Sequence, residues 1–141
     1  MGKNRLLHDL ESSNAETAME AAKAIIAKHV KVPVSAIEAI ASKDSGRDWS
    51  RASAIYLLGN LRSKKSAPVL ARILEDEKEK PLFREYAAEA LGNIGDSTYL
   101  PIVSRIASET TLPEIRTSCQ FAAEEIRAAS ERKNQSRLRE H

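Results

Sequence analysis

The chain has 141 residues, of which 30% are charged and 42% are hydrophobic, so it is long enough for one ordinary domain with its own core. This balance excludes an intrinsically disordered chain, and no window approaches the roughly 18 consecutive apolar residues of a membrane-spanning helix. The formal net charge of +2 does not favour a nucleic-acid partner. Cys119 is the single cysteine, which excludes an internal disulfide and favours a cytoplasmic location.

Apolar residues recur at helical spacing along most of the chain, for example at Ala54, Leu57, Leu58 and Leu61. In chain order, this pattern predicts seven helices near 15–29, 33–42, 48–61, 66–76, 82–94, 98–108 and 113–132. We expect three segments: an N-terminal segment over 1–13 that forms a short capping helix, a repeat domain over 14–132, and a charged, flexible tail over 133–141.

The sequence repeats itself. The segment that begins at Arg51 aligns with the one that begins at Arg84, an offset of 84 − 51 = 33 residues, and a weaker copy begins at Arg116. Each copy contains two predicted helices. One pair cannot bury its apolar face alone, but stacked pairs share a continuous core. The sequence therefore predicts an all-α fold, a right-handed α-solenoid of about 3.5 helical hairpins.

Gly59 and Gly92 occupy equivalent positions in the last turn of two predicted helices. Glycine within a helix costs about 0.5–1 kcal/mol relative to alanine. Because two copies tolerate this cost, we expect the missing side chain to let a neighbouring helix approach closely.

The segment Arg84–Asp96, followed by Leu100 and Pro101, resembles the HEAT-like repeat found in phycocyanobilin lyase subunits and many small bacterial proteins. The resemblance covers residues 14–132 and is strongest over 51–107. It implies a scaffold that binds other proteins, so the function expected is that of a non-catalytic adaptor rather than an enzyme. Two alternatives stay open: a subunit similar to the bilin lyases, and a nucleic-acid-binding HEAT-like protein.

In solenoids of this kind the second helix of each pair is expected to line the concave face. Arg72 and Arg105 are equivalent residues of two second helices, so they would lie side by side and suit an acidic stretch of a protein partner. We predict further partner-binding residues at Lys65, Glu38, Pro101 and Ser104, with Trp49 as an interface anchor. A homo-oligomer is left open, and no membrane partner is expected.

Arginine also recurs at the start of each copy, as Arg51, Arg84 and Arg116. We interpret these residues as a ladder of hydrogen bonds between repeats, with an anion-binding row as the alternative.

No catalytic residue, metal ligand or cofactor is predicted. The sequence has no Cys-x-x-Cys or His-Glu-x-x-His spacing, and its histidines, His8, His29 and His141, are scattered. The deoxyhypusine hydroxylase branch of HEAT-like proteins resembles this fold but needs His-Glu pairs for iron. The absence of such pairs here argues against that branch.

Overall fold

The computed structural model describes residues 2–42 and 47–140; Met1, residues 43–46 and His141 lie outside the described part. It contains eight α-helices, whose bounds are α1 Lys3–Leu10, α2 Ala15–Ala27, α3 Val34–Ser42, α4 Asp48–Asn60, α5 Ala67–Glu75, α6 Pro81–Ile94, α7 Leu100–Glu109 and α8 Pro113–Arg139. Short 3-10 turns over Lys64–Ser66 and Ser97–Tyr99 lead into α5 and α7. The described residues form no strand, and the predicted all-α solenoid is confirmed.

The helices begin where local chemistry favours a start. The side chain of Asn14 accepts a hydrogen bond from Thr17 N at 3.0 Å and caps α2. Proline occupies the first or second position of α5, α6, α7 and α8, where its missing N–H removes no helical hydrogen bond. Gly95, with φ of 71°, ends α6 in the left-handed conformation that glycine adopts without strain.

The two ends of the chain are helical. The helix expected within 1–13 is α1, which buries Leu6 and Leu10 against the first repeat. At the other end, α8 continues beyond 132 to Arg139. The expected flexible tail is thus an exposed helical extension as far as Arg139, and the division into three segments stays a prediction.

The helices form two layers. In one layer α2, α4, α6 and α8 pack side by side, and we call these the first helices. In the other layer α3, α5 and α7, the second helices, pack against the first ones. Between the layers lies one continuous core of mostly aliphatic side chains, in which the aromatic Phe83 is the largest fully buried residue.

The close approach predicted at the two helical glycines is confirmed. A Cβ atom built on Gly59 would lie 2.7 Å from the Cα of Ala90, and one built on Gly92 would lie 2.9 Å from the Cα of Ala122. Real Cβ atoms essentially never come this near to a backbone atom. The first helices therefore pack at backbone contact.

The two layers differ in how closely their members pack. The second helices make much less contact with one another than the first helices do. The placement of the second helices on the concave face stays a prediction.

Candidate functional site

The solvent-facing side of the first helices carries an unusual mixture of carboxylates and aromatic rings. Tyr56 of α4, Glu89 of α6 and Phe121 of α8 occupy equivalent positions in successive repeats, at offsets of 89 − 56 = 33 and 121 − 89 = 32 residues. Tyr56 is half-buried against the core, whereas Phe121 is 45% exposed, a large fraction for so apolar a side chain. We define the acidic–aromatic face as Tyr56, Glu85, Tyr86, Glu89, Glu114 and Phe121.

Helical geometry brings the acidic residues together. Glu85 and Glu89 are four residues apart on α6, so both point to the same side of that helix. Glu114, in the first turn of α8, is close enough to Glu85 to raise its pKa. Tyr86 interacts electrostatically with both α6 carboxylates and with Tyr56. Three helices therefore contribute to one negatively charged surface.

Burial and charge repulsion both raise the pKa values of groups on this face. Partial burial is the main cause that raises the pKa of Glu89, and the neighbouring Glu85 carboxylate adds to it. The pKa of Glu85 is raised by burial and then by Glu114. Burial also raises the pKa of Tyr86, with smaller contributions from Glu89, Glu85 and Tyr56. No cation of the described residues forms an ion pair with these carboxylates, so a positively charged ligand would relieve the repulsion between them.

Neutralising the two α6 carboxylates is expected to stabilise the fold at neutral pH. Their folded-state pKa values are raised, so the stability linked to them is full below the ordinary glutamate pKa and is lost as pH rises through the raised values. Glu85→Gln/Glu89→Gln should increase the free energy of unfolding by about 0.5 kcal/mol at neutral pH and leave it unchanged near about pH 3. Thermal denaturation at both pH values, with Glu131→Gln as an exposed control on α8, measures this difference. A double variant that is less stable at neutral pH would contradict the assignment.

The residues predicted as partner-binding lie elsewhere, and that prediction is untested. They are on or near the second helices, except Trp49, which is in the first turn of α4 and is 41% exposed. The guanidinium of Arg105 is engaged in ion pairs with Glu75 at 3.1 Å and Glu109 at 3.4 Å. Of the others, Arg72, Lys65 and Pro101 are exposed, and Glu38 and Ser104 are half-buried.

Within the described residues, no group of three or more His, Cys, Asp or Glu side chains is arranged to hold a metal ion. His8, Asp9 and Glu11 line a pocket of about 330 Å³ near the end of α1. The buried Cys119 is not a reactive thiol, since burial raises its pKa to about 11. The side chains of residues 2–42 and 47–140 therefore do not fit the iron centre that is expected of the hydroxylase branch.

Comparison with protein families decides the class. A family model described as HEAT repeats matches residues 34–124, which is more than half of the chain. The chain belongs to the HEAT-repeat family. No helix in the described part of this HEAT-repeat chain is long and apolar enough to cross a membrane.

The most similar curated proteins include enzymes. The chain is 39% identical over 71 residues to the deoxyhypusine hydroxylase of Candida albicans, and 34% identical over 71 residues to that of Homo sapiens. Each match covers 50% of this chain but only 22% and 23% of the relatives, so the HEAT-repeat chain spans about a fifth of their length. The solved structure of human deoxyhypusine hydroxylase in complex with glycerol superposes with a TM-score of 0.73 at 22% identity, over 92% of this chain and 45% of that one. This superposition shows the fold.

These comparisons correct the expectations about function. The HEAT-like resemblance is confirmed, but the similar proteins are deoxyhypusine hydroxylases and not phycocyanobilin lyases. The prediction of a non-catalytic adaptor, and with it the prediction that the chain is not an enzyme, is wrong because the relatives are enzymes. The acidic–aromatic face was missed, and the signal that could have found it is the change of residue type at positions 56, 89 and 121.

Proposed function

We propose that this HEAT-repeat chain acts in the hydroxylation of a lysine-derived, amine-bearing side chain on a protein, as a member of the deoxyhypusine hydroxylase type. Two observations support this. The relatives that match half of the chain carry that activity in their names. The observation that carries the proposal is the pair of carboxylates, Glu85 and Glu89, which lie one helical turn apart on α6 beside two tyrosines and form no ion pair with a cation of the described residues.

The chemistry of the acidic–aromatic face suits a protonated amine. Carboxylates make charge-assisted hydrogen bonds with ammonium groups, and aromatic faces attract cations through their quadrupole. Glu85 and Glu89 would bind the charged nitrogens, while the rings of Tyr86 and Phe121 would contact the aliphatic stem between them. Because α6 is packed at backbone contact on both sides, these groups are held on a rigid surface.

The role proposed for the described residues is to bind and orient that side chain. Iron would supply the oxidising chemistry in an enzyme of the hydroxylase branch, but residues 2–42 and 47–140 hold no group that fits it. The reaction step itself is therefore not assigned to any of these side chains.

A pair of matched peptides tests the proposal. One carries deoxyhypusine at its centre and the other carries unmodified lysine at the same position. We expect the chain to bind the deoxyhypusine peptide about tenfold more tightly, because the added amine makes a further charge-assisted hydrogen bond. Glu85→Gln/Glu89→Gln should abolish this preference, and Glu131→Gln should keep it. Isothermal titration calorimetry measures the affinities.

Equal affinity for both peptides would overturn the proposal, as would a double variant that retains the preference. The double variant is expected to be at least as stable as the parent chain at neutral pH. Its thermal denaturation, measured beside the titration, separates a loss of binding from unfolding.

A further inference from the structure

We propose that Arg84 forms a second binding site, which takes a carboxylate group from an aspartate or glutamate side chain of a partner polypeptide. Arg84 belongs to α6, is only 6% exposed, and lines a pocket of about 400 Å³ at the carboxyl ends of α5 and α7. Its Nε donates to the carbonyl oxygen of Leu74 at 2.8 Å, which fixes the guanidinium at the pocket wall.

The preceding repeat shows what this position is built to hold. Arg51 is equivalent to Arg84, is equally buried, and donates from Nε to the carbonyl oxygen of Ala41 at 2.9 Å. There the two terminal nitrogens also donate to the carboxylate of Glu79, with Nη1 and Oε1 3.2 Å apart. The first copy is thus an occupied arginine–carboxylate site within the chain itself.

At Arg84 the corresponding carboxylate is missing. Glu79 stands two residues before Pro81, which begins α6, and Thr111 stands two residues before Pro113, which begins α8. The replacement of glutamate by threonine removes the acceptor. No described carboxylate forms an ion pair with Arg84, since the nearby Glu75 and Glu109 are paired with Arg105 instead.

The pocket is larger at Arg84, where the carboxylate side chain is missing. The pocket beside Arg51, which Glu79 lines, measures about 160 Å³, against about 400 Å³ beside Arg84. Among the described residues, Ser53 Oγ is the one side-chain polar atom that is fully buried without a hydrogen-bond partner. The unpaired terminal nitrogens of Arg84 are therefore not fully buried, and a ligand in the pocket can reach them. A nearly buried, unpaired guanidinium is costly, and a carboxylate that enters would offset this cost.

The lining selects the class of anion. Ile106 and Leu112 provide apolar contacts for the methylene groups of an acidic side chain. Glu75 and Glu109 are paired with Arg105, which also lines the pocket, and Glu77 adds a further negative charge; this charge disfavours a doubly charged phosphate more than a singly charged carboxylate. The planar fork of arginine matches a carboxylate in two parallel hydrogen bonds, as at Arg51.

The experiment follows the Arg84 Nε–H resonance by ¹⁵N NMR during titration with a peptide copied from residues 78–82, whose acidic residue is glutamate or, in the control peptide, glutamine. We expect a saturable shift with the glutamate peptide and an affinity at least about tenfold weaker for the glutamine peptide. Thr111→Glu supplies the carboxylate within the chain, so it should raise the melting temperature and abolish peptide binding. Thr111→Gln should leave binding intact.

Three results would overturn the proposal: no saturable shift in the parent chain, undiminished binding by Thr111→Glu, or tighter binding of inorganic phosphate than of the glutamate peptide. Arg84 itself is left unchanged in these variants, so its hydrogen bond to Leu74 is preserved. The site shares no residue with the acidic–aromatic face, and either can fail without the other.

Discussion

Replacing Glu79 by alanine is expected to lower the free energy of unfolding by about 2 kcal/mol, measured by urea denaturation. The Glu79 carboxylate pairs with Arg51, whose side chain is 8% exposed, and the Phe83 ring lies 4.3 Å from the guanidinium carbon. Removing one partner of a buried ion pair leaves an uncompensated charge, which costs about 3–5 kcal/mol when both groups are fully buried. Because the Glu79 side chain is 21% exposed, we expect a smaller loss.

A neighbouring ion pair gives the control. Lys80 contacts Asp48 at 2.7 Å, but their side chains are 63% and 38% exposed. Exposed pairs contribute only about 0–1 kcal/mol, so Lys80→Ala should change stability much less than Glu79→Ala. Equal losses of stability in the two variants would show that the Arg51–Glu79 ion pair contributes no more than an exposed pair. This result would also weaken the comparison on which the Arg84 site rests.

The architecture was predictable because it depends on features that repeat. The 33-residue offset, the helical spacing of apolar residues and the prolines at helix starts each act locally, and together they specify stacked helical pairs. Gly59 and Gly92 also indicated where the helices touch, because glycine lowers the stability of a helix and is expected there only where a neighbouring helix packs closely. Helix ends were less certain, since the sequence from 133 onward has few apolar residues but continues α8 to Arg139.

The acidic–aromatic face was harder to predict because it lies where the repeats differ. Tyr56, Glu89 and Phe121 align with one another, yet they share no residue type, so a search for repetition passes over them. Their joint effect arises only when α4, α6 and α8 are brought side by side, which raises the pKa of Glu89 by burial.

Gly59→Ala is expected to destabilise the chain by about 1–2 kcal/mol, although alanine is the better helix former. The gain in helix propensity is about 0.5–1 kcal/mol, whereas overpacking at a close contact costs about 1–3 kcal/mol. At Gly59 the conflict is with the backbone of Ala90, which cannot rotate away. Gly92→Ala should cost somewhat less, because its Cβ would lie 2.9 Å rather than 2.7 Å from the facing Cα. Urea denaturation of both variants measures which of them loses more stability.

Asn93→Ala provides the matched control for these substitutions. Asn93 follows Gly92 on α6 but is exposed, so alanine there should bring the propensity gain of a few tenths of a kcal/mol without a clash. Adding Ala90→Gly to Gly59→Ala should restore only part of the loss, since the Cα of Ala90 remains as close as its Cβ was. Full recovery of stability would mean that the Cβ of Ala90 alone, and not its backbone, limits how closely α4 and α6 approach. A stabilising Gly59→Ala would refute backbone contact between α4 and α6, and with it the rigid support proposed for the acidic–aromatic face.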